Sequence, residues 1–248
     1  MGNQDKKFGH VMLDIETLAK YHNPAIISIA AVEFNMETGE TGKEFHEKIS
    51  LQSCLDIGLR VDESTIKFWM SQDDNARKKL YDGERKSINA VLLNFNSFID
   101  SLEDDVEIWG NGISFDISFL RAAYFKANIT FKWNHRMERD VRTLISYAPE
   151  FKENMKFIGV KHDALSDCKH QIRYCSATNK VINPTKVEDI NGELLADLRN
   201  KLGNPYSLVQ LVEIGLKNGF DDDLKKLLKD NTNSAKKVIE FLSKKDDK

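Results

Sequence analysis

An apolar strand that ends in two carboxylates is the strongest constraint on this chain. Val11-Met12-Leu13 carries no polar side chain, and Asp14-Ile15-Glu16 follows at once. Such a run reads as a buried strand, and packing alone gives no reason to place acids at its end. Two more acidic clusters follow in order: Gly112-Ile113-Ser114-Phe115-Asp116, then His162-Asp163-Ala164-Leu165-Ser166-Asp167. Four carboxylates gathered on one fold would hold hard divalent cations through oxygen. The added histidine supplies a base. Together these groups are what two-metal phosphodiester hydrolysis requires.

Context separates these clusters from chance. In a chain with 39 acidic residues among 248, about 1.5 Asp-x-Glu triplets are expected at random. Three occur, at 14–16, 82–84 and 105–107; the last, Asp105-Val106-Glu107, opens a strand after a polar turn, where acids only cap and solvate. His-x-x-x-x-Asp occurs twice, as His135 to Asp140 and His162 to Asp167, against about 0.5 by chance. The second has the small Ala164 inside it and begins a helix whose apolar face can dock on a sheet. His135 reads as a surface histidine, and Asp140 as the cap of the helix that begins Val141-Arg142-Thr143-Leu144.

The chain reads as α/β. Phe8 to Leu13 and Ala25 to Phe34 are buried strands, Glu44 to Ile49 alternates as a third, and the succession suggests an antiparallel meander. Asp62 caps a helix bearing Ile66, Phe68, Trp69 and Met70. Ser87 caps another, with Ile88, Val91, Leu92, Phe95, Phe98, Ile99 and Leu102 on one face. Val106 to Trp109 is a short strand, followed by a helix from Phe115 to Lys126, an extended Ile129 to Trp133, a helix from Asp140 to Tyr147 and another after His162. From Asn183 onward the chain reads as a helical extension, so domains are expected at 1–182 and 183–248.

Composition trims the function classes. At 41% hydrophobic the chain has material for a sizeable core. No apolar run approaches the ~20 residues of a membrane span, and Met1 to Lys7 does not read as a secretory leader. A cytoplasmic, membrane-free protein is expected. Its net charge of −3 argues against a general duplex-coating protein, although cations bound in an acidic pocket reverse the local sign. Cys168, His170 and Cys175 lack a fourth soft ligand at a zinc spacing. Both cysteines instead fall on an apolar helical line through Leu165 and Ile172.

Taken in order, LDIETL, NGISFD and HDALSD resemble the three motifs of the DEDDh (DnaQ-like) 3′→5′ exonuclease superfamily. The third fits its His-x-Ala-x-x-Asp pattern at each specified position. STIKFWMSQ (Ser64 to Gln72) and RDVRTL (Arg139 to Leu144) look like segments of phage exonuclease A and related stand-alone, ribonuclease-T-like exonucleases. The resemblance covers residues 8 to 180 and implies a ribonuclease-H-like mixed five-stranded sheet flanked by helices. It implies two divalent cations, Mg²⁺ or Mn²⁺. Asp14, Glu16 and Asp167 would hold one, and Asp14 and Asp116 would serve the other, directly or through water. His162 would be the general base, and the product a nucleoside 5′-monophosphate. Thr17 and Leu18 occupy positions that in the family contact the terminal nucleotide.

Phe115 or Trp69 could stack on a base; Trp69 reads equally as a buried anchor in step with Ile66 and Met70. Arg77-Lys78-Lys79 and Arg85-Lys86 could follow a phosphate backbone or simply form a solvated helix face. One departure stands out. Proofreading members commonly carry His-Asn with the Asn four residues before the second-motif Asp, and Gly112 holds that place here. The chain contains no polymerase. Its expected partners are the 3′ ends of single-stranded RNA or DNA, and a homodimer is a further option.

Two rival readings remain. A haloacid-dehalogenase-like phosphohydrolase needs Asp-x-Asp followed by x-Thr or x-Val, and Glu16 and Leu18 depart from that pattern. An exonuclease-like fold kept only for binding nucleic acid, without turnover, is the other.

Overall fold

In this computed structural model residues 8–183 are described. Beyond Asn183, the proposed helical extension lies outside the described residues. Five strands form one sheet in the order β3-β2-β1-β4-β5: β1 (His10–Thr17), β2 (Ile26–Phe34), β3 (Thr41–Lys48), β4 (Glu107–Gly110) and β5 (Glu138–Asp140). β1, β2 and β3 pair antiparallel as the expected meander. β4 and β5 join parallel to β1 and to each other, giving the mixed sheet.

Eight helices occur among the described residues: α1 (Leu51–Asp56), α2 (Glu63–Ser71), α3 (Asp74–Tyr81), α4 (Ile88–Asp100), α5 (Asp116–Ala127), α6 (Val141–Ile145), α7 (Glu150–Asn154) and α8 (Ala164–Ile182). Side-chain alternation along β1 divides the core between the two faces of the sheet. Val11, Leu13 and Ile15 pack with Val91, Leu92 and Phe95 of α4 and with Leu120 of α5. Met12 packs on the other face with Ala164, Cys168, Ile172 and Cys175 of α8. β2 is buried along its whole length because both of its faces are covered. None of the described helices is long and apolar enough to cross a membrane.

Caps and core follow the expected pattern in most places. Ser87 accepts the Ala90 N–H at 3.3 Å, and Asp140 accepts that of Thr143 at 2.8 Å. Cys168 and Cys175 are buried free thiols in the apolar seam of α8, as their spacing predicts.

The fifth strand needs a correction. Ile129 to Trp133 is not a strand; its side chains pack on the α4 face, and Asn96 fixes the Thr130 carbonyl at 2.8 Å. Pairing passes instead to Glu138–Asp140, a strand with no apolar residue, which follows a single 3-10 turn at His135–Met137. The basic runs at 77–79 and 85–86 are largely tied into the fold. Arg77 holds the Met70 and Gln72 carbonyls, Arg85 those of Ile49 and Leu80, and Lys86 pairs with Glu47.

Candidate active site

Asp14 and Glu16 alternate with Met12 and therefore face α8. A register shift falls between Glu16 and Thr17, so β1 is bent directly after its second acid. α8 brings the third carboxylate. With Ala164, Cys168 and Ile172 seated on the sheet, Asp167 lies on the adjoining line of the helix, over the end of β1. One oxygen each of Asp14, Glu16 and Asp167 lies within 4.8 Å of the others.

Asp116 reaches the same place from the first residue of α5. It is 5% exposed, and the nearby backbone of Ile15 and Asn111 partly offsets the burial that raises its pKa. Parallel pairing of β1 with β4 ends at Leu13 and Gly110, and the turn after Gly110 drops Asp116 beside the continuing end of β1. The Asp14 carboxylate is further fixed by Gln171 Nε2 at 2.9 Å.

Electrostatically the cluster is incomplete. Burial, and then repulsion from Asp116 and Asp167, hold Asp14 well above the ordinary carboxylate range; burial and the neighbouring acids do the same to Glu16. Burial lifts Asp116 to about 7 and Asp167 to about 6. Among the described residues none of the four forms a salt bridge. Buried and partly buried carboxylates that repel one another and form no salt bridge among the described residues fit a hard divalent cation, which supplies the missing charge to oxygen donors.

His162 stands just ahead of α8. Asp163 caps that helix by accepting the Ser166 hydroxyl at 2.7 Å and its N–H at 3.3 Å. His162 itself takes a left-handed backbone, φ 62°, and its backbone draws the Asp167 pKa down against the upward push of burial. The five-residue spacing thus works through this turn as well as through the helix. Burial, and then Lys161, lower the imidazole's pKa from its ordinary 6.5, so the ring is neutral near pH 7. Its ring rests edge-on against Phe68 and Trp69, with centroids 5.2 and 5.9 Å away.

The structure separates the four side chains offered to a nucleotide. Thr17 and Leu18 are 6% and 5% exposed, and the Thr17 hydroxyl is spent on the Ala19 carbonyl at 2.8 Å. Trp69 is 4% exposed and donates its indole N–H to the Thr17 carbonyl at 3.0 Å, so it is the buried anchor and not a base-stacking platform. Its neighbour Phe68 is the partly open aromatic beside His162. Phe115 is also partly open and packs against Phe119 with centroids 4.5 Å apart.

The model of the 3′-5′ exoribonuclease Rv2179c-like domain family matches residues 9–179, which span the sheet, all but the last turn of α8 and all five candidate residues. The chain belongs to this family. It is a 3′→5′ exoribonuclease domain by that family's description. No curated protein matches the Rv2179c-like chain. Solved structures share its fold at low identity. Exonuclease I matches with a TM-score of 0.52 and 15% identity over 71% of this chain and 41% of its own. The S. pombe Pop2p structure, in its Mg²⁺- and Mn²⁺-bound form, matches at 0.50 and 13% over 70% and 83%. A 3′-exonuclease described for 3′-end-specific recognition of the histone mRNA stem-loop matches at 0.50 and 15% over 72% and 84%.

Sequence reasoning misses three residues at this Rv2179c-like site: Gln171 on Asp14, Phe68 on His162, and Arg142 beside Asp116. Gln171 alone carried a usable signal. It follows Asp167 by four residues on a helix, which puts the two on one face.

Proposed function

We propose that this domain removes nucleoside 5′-monophosphates from the 3′ end of single-stranded RNA by hydrolysis that depends on two divalent cations, Mg²⁺ or Mn²⁺. The observation that carries the reading is the convergence of Asp14, Glu16 and Asp167 within 4.8 Å, without a salt-bridge partner among the described residues and with His162 just ahead of the helix that bears Asp167. RNA is favoured over DNA by the family's description. The segments around Ser64 to Gln72 and Arg139 to Leu144 support a place near the stand-alone, ribonuclease-T-like branch, with 183–248 as an appended element.

Each part of the chain has a task in this reading. Asp14, Glu16 and Asp167 hold one cation, and Asp14 and Asp116 serve the other. When bound, the cations supply Lewis-acid stabilisation of the attacking and departing oxygens. His162, neutral near pH 7, accepts the proton of the attacking water. Phe68 and Trp69 limit the tilt of its ring, and Gln171 keeps one Asp14 oxygen occupied so that the other is free to face a cation. Phe115 and Phe68 are the partly exposed aromatic rings offered to a base, while Thr17 and Leu18 are buried.

The test is the product ladder from matched 5′-labelled single-stranded RNA and DNA, with Mn²⁺ and with chelator. A metal-dependent ladder shortening from the 3′ end, faster on RNA, is expected. No degradation of either strand by folded protein in Mn²⁺ would overturn the reading in favour of a binding module, and faster loss of DNA would overturn the RNA assignment.

A further inference from the structure

We propose that Arg142 binds the phosphate one nucleotide upstream of the scissile phosphodiester, which makes it a substrate-positioning and length-sensing residue. This rests on the exonuclease reading above.

Arg142 is held in place by its neighbours. Asp140 accepts the Thr143 N–H on one oxygen and the Ile113 N–H on the other, both at 2.8 Å, and so ties the first turn of α6 to the turn that delivers Asp116. The guanidinium then lies flat on Gly112. A Cβ built there would stand 2.9 Å from Arg142 Cζ and 3.0 Å from Nη2. Gly112 has φ +109°, a conformation that side chains other than hydrogen rarely adopt. The residue that departs from the proofreading pattern is therefore the seat of an arginine, and any side chain at 112 would evict it.

The cation is unspent. Arg142 is exposed, and among the described residues its guanidinium has no hydrogen bond or ion pair. The nearby arginines are committed: Arg139 to Glu107 and Arg121 to Glu138. Arg142 is close enough to lower the pKa of both Asp116 and Asp140, yet it forms a salt bridge with neither. A charge held at the rim, out of contact with the carboxylates, is presented to something outside the cluster. The guanidinium fork suits a phosphate, which it can grip through two N–H groups.

Substrate chemistry decides which phosphate. A strand with a free 3′ hydroxyl carries no phosphate beyond the terminal nucleoside, so a second phosphate can only be upstream of the scissile one. In the two-cation reading Asp116 would help hold the cation that stabilises the departing 3′ oxygen, and that oxygen belongs to the upstream nucleotide. An arginine at the rim beside Asp116 therefore meets the strand on that side.

The dinucleotides pUpU and UpU isolate this contact, because both contain the scissile phosphate and only pUpU has the upstream one. Wild type in Mn²⁺ is expected to prefer pUpU, mainly through KM. Arg142→Ala is expected to remove about ten-fold of that preference, the scale of one charge-assisted hydrogen bond. Arg142→Lys should restore only part, since a point charge lacks the fork. An equal pUpU to UpU ratio of kcat/KM in wild type and Arg142→Ala, with both folded by melting, would overturn the proposal. Should wild type turn over neither, the exonuclease reading fails instead. Calorimetric Kd values for pUpU and UpU, with and without the substitution, then decide whether Arg142 selects the 5′ phosphate.

Discussion

Two of the three Asp-x-Glu triplets of this chain lie on neighbouring parallel strands and meet opposite fates. Asp105-Val106-Glu107 opens β4, where Glu107 pairs with Arg139 of β5 and with His10 of β1, at 2.5 and 3.3 Å. Asp14-Ile15-Glu16 closes β1, where no arginine or lysine of the described residues forms a salt bridge with either acid. The same three-residue pattern is neutralised from within at one end of the sheet and left for a cation at the other. What distinguishes a structural acid from a candidate ligand here is the partner that the fold supplies, not the acid.

The comparison can be broken at several points. Asp14→Asn has the largest expected effect: at least ~10³-fold loss of turnover, because in the proposed reading it removes the ligand shared by both cations. It should also raise the melting temperature of metal-free protein, since it deletes a charge from a repelling cluster. Thermal melts with and without Mn²⁺, beside the RNA ladder, check both; retained turnover would sink the assignment.

His162→Ala should cost ~10²–10⁴-fold in rate, the usual worth of a general base. In the wild type, kcat/KM should fall as pH drops through the His162 pKa, which lies below 6.5, because the protonated ring cannot accept a proton. A pH profile with no acid limb, or an unimpaired variant, would place the base elsewhere.

Gln171→Leu should raise the Mn²⁺ concentration for half-maximal stabilisation about ten-fold, as loss of an outer partner to a metal ligand does. Titration of the melting temperature with Mn²⁺ reads this without activity, and an unmoved midpoint would make Gln171 mere packing.

A smaller effect is the pH dependence of the metal-free fold. Asp116 and Asp167 titrate at about 7 and about 6 in the folded chain, above the ordinary 3.8. An acid whose pKa rises on folding contributes stability that is complete below its unfolded pKa and lost as pH climbs through its folded one. Metal-free protein should therefore melt at lower temperature as pH rises from about 5 to about 8. Mn²⁺ should abolish that decline, and a metal-free melting temperature that climbs with pH over this window would contradict it.

The smallest effect belongs to the β4 triplet. Glu107→Gln should cost at most ~1 kcal/mol of stability, as a partly exposed ion pair does. Its RNA ladder should match wild type, so a large loss of activity there would erase the contrast between the two ends of the sheet.

How far the site could be read from sequence varies by residue. Asp14 and Glu16 stand out because acids interrupt an apolar run, and Asp167 because its spacing from His162 suits a helix start. Asp116 is visible only in the company of the others, since an acid at a helix start is usually a cap. Trp69 and Phe68 are adjacent on α2, and helical periodicity alone does not say which turns inward; the hydrogen bond from Trp69 to Thr17 does. Nothing local marks Arg142, whose importance depends on a glycine thirty residues earlier in the chain. The fifth strand was equally hidden. Glu138-Arg139-Asp140 has no apolar residue to reveal it, and it is a strand because the edge of β4 offers it hydrogen bonds.

The sequence by itself determined the early meander, the capped α4, the apolar seam of α8 and the roster of acids with their histidine. These are local properties: hydrophobic period, capping chemistry and an acid where a strand should stay apolar. Only the tertiary structure decided which acids meet without a cation, which aromatic supports His162 and which stays open, and where a free arginine is seated. Those outcomes depend on contacts between residues 30 to 157 positions apart, and no periodicity in a chain records which of its distant parts will be neighbours.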